Sequence, residues 1–228
     1  MSKETIRLIK YIGVIFLVVV LSYKLPHDSY SFIQYMIKPI KYKNGVIYLS
    51  SVIPLILIFI GIKGILRLER FKNKSKLLIV LFILIVILPF MKWTFDFTRT
   101  NYHWLKKDGI NSIDIIESDL TLNNSNDSTI INISLKLKDY SRRHNEFKIR
   151  VYLPKSLSEY TGKEYYEFEN LYDMNGNDYI LNVNEQIVVV TENADKLDHL
   201  YDSYWYYEDM KYELYDDNET VDIIIHGY

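Results

Sequence analysis

The sequence has no cysteine. That excludes disulfides, thiol nucleophiles, cysteine-based zinc sites and anchoring through a lipidated cysteine. Glycine is scarce, with 8 among 228 residues, and no glycine-rich phosphate loop is built from them; GIKG at 61–64 sits at the edge of an apolar run. No serine stands in a GxSxG setting. The five histidines (His27, His103, His144, His199 and His226) form no HExxH or HxH ligand pattern. These gaps argue against the common hydrolase and nucleotide-binding classes, and no catalytic residue, metal or cofactor is expected from them; surface is the default place for each histidine.

Strong net charge is lacking too, at −2. The average hides a sorting along the chain. Residues 1–91 carry 13 Lys/Arg against 3 Asp/Glu, residues 92–163 carry 12 against 9, and residues 164–228 carry 2 against 17. Apolar residues are sorted with the basic part: Tyr11–Tyr23, Gly45–Ile62 and Leu77–Met91 are uncharged runs of 13, 18 and 15 residues, each bounded by Lys. About 20 helical residues cross a hydrocarbon core of about 30 Å. The second run nearly suffices as it stands; the others need Lys10, Lys24 or Lys92 to snorkel outward. A buried helix of a soluble protein normally shows a polar stripe, and LLIVLFILIVILPF has none. Three spans are therefore expected, at about 8–25, 45–65 and 77–95, within a transmembrane region 1–91. A signal peptide in place of the first span would need small residues after the apolar run, where SYKLPHDSYSF stands. An uncleaved anchor is expected instead. The uncharged cores of the three spans contain no Asp, Glu, Lys, Arg or His, which argues against a transporter acting alone.

Lys63, Arg67, Arg70, Lys72, Lys74 and Lys76 crowd the second connection beside a single acid, Glu69. This loop is expected in the cytoplasm, lying against anionic lipid, with the N-terminus on the same side. The chain beyond Met91 then lies outside a cell membrane. Residues 92–111 read as an interfacial aromatic segment, in which Trp93, Phe97, Tyr102 and Trp104 favour the headgroup layer because each ring has an apolar body and most have a polar edge.

From Ile113 onward the period becomes two. Ile131, Ile133, Leu135 and Leu137 alternate with polar residues, as do Phe147, Ile149, Val151 and Leu153. NNSNDS separates Ile113–Leu122 from Thr129–Leu137 as a hairpin turn. Further strands are expected at Tyr165–Leu171, Tyr179–Val183, Ile187–Thr191, Trp205–Leu214 and Val221–Ile225, with turns at MNGND (174–178) and DDNE (216–219). One short helix is expected around Ala194, Leu197 and Tyr201. Seven or eight short strands with turn signals imply a β-sandwich over 112–228. The fold class is thus α and β in separate parts: three transmembrane helices, then an all-β outer domain.

The three spans followed by SDLTLNNSNDSTIINISLKLKDYS and EFKIRVYLP resemble uncharacterised multi-pass membrane proteins of low-GC Gram-positive bacteria with an immunoglobulin-like outer domain. The resemblance lies in architecture and in the strand–turn–strand texture of residues 112–154. It implies an immunoglobulin-like sandwich and, having no signature motif, no site residue.

The remaining functional signal is the acidic last third, where ten Asp/Glu lie between Asp195 and Asp222 among interleaved Tyr and Trp. A solvated strand surface accounts for such a run. A recognition surface accounts for it as well, and would comprise Asp198, Asp202, Trp205, Glu208, Asp209, Tyr215, Asp216, Asp217 and Glu219. Its partner would be a cationic protein or peptide, or Ca²⁺; nucleic acid is disfavoured by the charge. Three functions stay open at this point: a sensing or binding module for an envelope partner, an accessory or immunity-type subunit of a membrane complex, and an unfamiliar envelope enzyme.

Overall fold

Where apolar residues run without a polar face, the chain is helical. The computed structural model describes residues 2–42, 45–125, 128–176, 179–190 and 205–227. Helix α1 spans Lys3–Ser22, and the Ser2 hydroxyl caps it by accepting the Thr5 amide N–H at 3.1 Å. A short helix α2 (Phe32–Met36) begins with a capping box between Ser31 and Gln34. Three-residue strands β1 (Ile40–Tyr42) and β2 (Gly45–Ile47) precede α3 (Val52–Leu66). Next come α4 (Lys76–Phe82), a π turn at Ile83–Ile87 and α5 (Leu88–Lys106), together one helical run of 31 residues. Pro89 accounts for the π turn: its ring crowds the carbonyl four residues back and it offers no N–H, so the preceding turn widens. Three helical segments, Lys3–Ser22, Leu49–Leu66 and Lys76–Lys106, are long and apolar enough to cross a membrane.

The chain forms two compact units. The first comprises residues 1–25, 30–42 and 46–98. Ile15, Ile65 and Ile83 form its buried centre, with Tyr11, Phe71 and Met91 packed around them. Helix α3 approaches α1 through Gly61 and Gly64; a Cβ on Gly61 would overlap Ile15, and one on Gly64 would overlap the Tyr11 ring. The same unit holds a Tyr23 hydroxyl donating to Asp96 Oδ1 at 3.0 Å beside a Phe16–Phe95–Tyr23 ring stack.

The second unit comprises residues 26–29, 43–45 and 99–228. Its strands are β3 (Ile113–Ser125), β4 (Ser128–Asp139), β5 (Asn145–Tyr152), β6 (Tyr165–Glu167), β7 (Tyr172–Met174), β8 (Ile180–Val190), β9 (Met210–Tyr215) and β10 (Thr220–Ile225). They make two antiparallel sheets, ordered β3-β4-β8 and β10-β9-β5-β6, with β7 pairing the other end of β5. Inward residues of both sheets, among them Ile131, Ile133, Phe147, Ile149, Tyr212, Leu214 and Ile223, share one core. A piece of the connection after α1 belongs to this unit. Ser29 N–H donates to the Ile224 carbonyl and Ile224 N–H to the His27 carbonyl, both at 3.0 Å, so Asp28 lies parallel to the free edge of β10.

Several elements depart from the expectation. The first helix starts at Lys3 and ends at Ser22, and the third runs on to Lys106. Tyr165–Leu171 is a strand only to Glu167, because Phe168 turns into the core and pairing with β5 resumes at Tyr172. The two strands expected at 179–183 and 187–191 are one, since β4 offers an unbroken partner from Ser128 to Lys138. Trp205–Tyr207 is a 3₁₀ turn before β9. Helix α6 (Lys155–Thr161), closed by Gly162 in the left-handed region, has no counterpart among the expected elements. The short helix expected around Ala194, Leu197 and Tyr201 lies outside the described residues.

Candidate functional site

The alternation of β5 turns Phe147 and Ile149 inward and Glu146, Lys148 and Arg150 outward. Register places Lys148 opposite Tyr215 and Arg150 opposite Glu213 on β9. Across this outer face the Arg150 guanidinium stands 4.9 Å from the rings of both Tyr165 and Tyr215 and bonds Glu213 at 2.6 Å and Glu167 at 3.3 Å. Lys211 sits 4.7 Å over the Tyr152 ring and 2.9 Å from Asp222. Burial, with the Glu167 carboxylate alongside, pushes the Tyr215 phenol up to about 12. Charge and aromatic surface on this face are therefore largely spent on each other.

At the end of the face the β9–β10 turn opens a groove of about 480 Å³ lined by His144, Glu146, Lys148, Leu171, Tyr215, Asp216 and Asp217. The turn is tied by Asp216, whose Oδ1 accepts the N–H groups of Asn218 at 2.7 Å and Glu219 at 2.6 Å. This holds Asp217 exposed at the tip. Leu171 contributes apolar surface and is 61% exposed. His144 Nε2 lies 3.1 Å from Asp173 and 3.5 Å from Glu146. The groove thus gathers carboxylates from β5 and from the β9–β10 turn beside aromatic side chains and one aliphatic one.

The other residues expected at a recognition surface are placed differently. Glu219 accepts from the Asn111 amide at 2.9 Å. Glu208 accepts the Ser156 N–H at 3.1 Å, and its other oxygen takes the Ser156 hydroxyl, so it serves the first turn of α6. Asp209 Oδ2 lies 3.0 Å from His226 Nδ1, and Oδ1 accepts the Gly227 N–H at 3.2 Å. His226 Nε2 is 3.4 Å from Asp28. Trp205 packs against the core and, with Glu208 and His226, lines a second cavity of about 180 Å³. The two groups stand at opposite ends of β9, about 17 Å apart at the usual strand rise. Tyr212, interleaved with the acids in sequence, is a core residue. Asp198 and Asp202 lie outside the described residues. Among the described residues no three Asp, Glu or His side chains cluster as a metal ion requires.

Glu146, His144 and Leu171 were not singled out from sequence. The alternation of β5 that turns Lys148 and Arg150 outward extends to Glu146 and is the signal that could find it; nothing in the sequence gives the approach of the 216–219 turn.

Of the aromatic segment, Trp93 and Phe97 continue a stack from Phe90, with centroids 5.9 and 5.2 Å apart. Tyr102 and Trp104 are 56% and 55% exposed. The basic residues Lys63, Arg67, Arg70, Lys72, Lys74 and Lys76 fall at the end of α3, in a 3₁₀ turn at Glu69–Phe71 and at the start of α4. The Arg70 N–H there donates to Glu4 Oε1 at 2.9 Å. No protein-family model matches the chain, and a search of curated proteins finds no match.

Proposed function

We propose that this is an integral membrane protein of three spans, with a cytoplasmic N-terminus and an outer β domain that binds a cationic peptide or protein segment. The observation that carries the binding reading is the groove, where Glu146 of β5 and Asp216 and Asp217 of the β9–β10 turn line one space with Leu171 and Tyr215. Carboxylates beside an exposed leucine and a half-buried tyrosine suit a lysine- or arginine-rich segment, which buries its aliphatic stems and pairs its charges.

The topology is supported by chain connectivity. Residues 26–29, between the first and second apolar helices, belong to the same unit as residues 99–228, so both stand on one side of any membrane the helices cross. Residues 63–76, between the second and third, then stand on the other, and their Lys/Arg content assigns that side to the cytoplasm. The strand order supports an immunoglobulin-like sandwich: lettering β3, β4, β5, β6, β8, β9 and β10 as A, B, C, C′, E, F and G gives A-B-E facing G-F-C-C′.

The test is a photo-crosslinking amino acid at Leu171 in living cells. The expected result is one protein adduct that disappears with Asp217→Lys and Glu146→Lys. An adduct indifferent to charge reversal overturns the acidic groove. Adducts from Phe59 on α3, with none from Leu171, assign the working surface to the helices, as an accessory subunit would have it.

A further inference from the structure

The last turn of α5 and the loop before β5 bring cations together that the sequence keeps 35 residues apart. Arg143 Nη2 donates to the Trp104 carbonyl at 3.2 Å, tying the loop to the helix end. Around that tie Lys106, Lys107 and Arg142 are exposed, and Trp104 and Leu105 are exposed by 55% and 71%. The acid in this turn, Asp108, is engaged by His103 at 2.9 Å and by Lys106 at 3.5 Å. The result is a surface of cations with an indole and a leucine beside it, in a chain whose last third is strongly acidic.

We propose that this patch, Trp104, Lys106, Lys107, Arg142 and Arg143, docks on the anionic phospholipid headgroups of the outer leaflet and seats the β domain against the bilayer. The inference rests on the membrane reading above. Charge complementarity selects the occupant: lipid phosphates meet clustered Lys and Arg, while Trp104 and Leu105 match the boundary between headgroups and acyl chains. Continuity of the chain agrees: Trp104 stands on the helical run Lys76–Lys106, past the uncharged stretch Leu77–Met91 on its outward side. The acidic groove begins at His144, two residues after Arg142, so a cationic segment held there would lie beside the lipid surface, where cationic peptides concentrate.

Lys107 and Arg142 have positive φ, 59° and 55°, a conformation that asparagine tolerates well. Lys107→Asn with Arg142→Asn therefore removes two charges without straining the backbone and leaves the Arg143 tie in place. The experiment uses the full chain with Trp93→Phe and Trp205→Phe, so that Trp104 is the only indole. It is reconstituted in phosphatidylcholine vesicles containing equal fractions of brominated phosphatidylglycerol or brominated phosphatidylcholine. The expected result is at least twofold stronger quenching by the brominated anionic lipid, a preference that Lys107→Asn/Arg142→Asn abolishes while circular dichroism is unchanged. Equal quenching by the two lipids overturns the docking surface and leaves the three-span reading intact. Failure to insert in either vesicle overturns both. The wild-type chain provides a second readout that does not depend on the tryptophan replacements: released from equimolar discs into a mass spectrometer, it should retain phosphatidylglycerol over phosphatidylcholine, and equal retention contradicts the proposal.

Discussion

Asp216 and Asp217 are neighbours of the same type, yet their chemistry differs. Asp216 accepts two backbone N–H groups and closes the β9–β10 turn, while Asp217 is exposed on the groove rim. Asp216→Ala removes acceptors and should lower stability by about 1–2 kcal/mol, with Asp216→Asn retaining most of it; thermal unfolding of the full chain in detergent reads the difference. Asp217→Lys should change stability by no more than about 0.5 kcal/mol and act on partner capture alone. His27 supplies a pH dependence. Burial lowers its pKa from the ordinary 6.5, against the opposing pull of Asp114, with Arg99 adding to the lowering. The folded chain therefore holds it neutral where the unfolded chain would protonate it. Its stabilising share is complete above 6.5 and is lost as the pH falls through 6.5 towards the lowered folded value. Unfolding midpoints measured from pH 7.5 to 5 should fall less in His27→Gln than in wild type. Equal slopes would contradict the assignment.

At the scale of elements, the contact between α1 and α3 depends on the absence of side chains at Gly61 and Gly64. Gly64→Ala should cost about 1–3 kcal/mol through overpacking against the Tyr11 ring, and Tyr11→Ala in the same chain should recover most of that. A double-mutant cycle on thermal unfolding in detergent gives the coupling directly. The strands that alternate cleanly, β4, β5 and β10, were legible because one face of each enters the core and the other meets water. Helix α6 was not: KSLSEYT carries almost no apolar period, with only Leu157 fully buried, and its first turn is completed by Glu208 from 52 residues away. The continuity of β8 was equally hidden, because NEQ at 184–186 reads as a polar break and only the pairing with β4 holds it extended. The same reason divides the acidic candidates. Adjacency along the chain could not show that β9 carries Glu208 and Asp209 to one end and Asp216 and Asp217 to the other, or that Glu208, Asp209 and Glu219 have partners within their own unit.

For the whole molecule, the near-neutral total charge conceals a basic apolar half and an acidic β half. The proposed topology gives each a place, with residues 63–76 in the cytoplasm and the β domain outside. The lack of cysteine makes this directly measurable, since any introduced thiol is the only one in the chain. Lys155, 84% exposed on α6, and Lys72, exposed between α3 and α4, report on the two sides. Single variants Lys155→Cys and Lys72→Cys, treated in intact cells with a membrane-impermeant maleimide, should differ completely: the first labelled at once, the second only after permeabilisation. Labelling of Lys72→Cys in intact cells, or protection of Lys155→Cys, would contradict the three-span arrangement with an outer β domain.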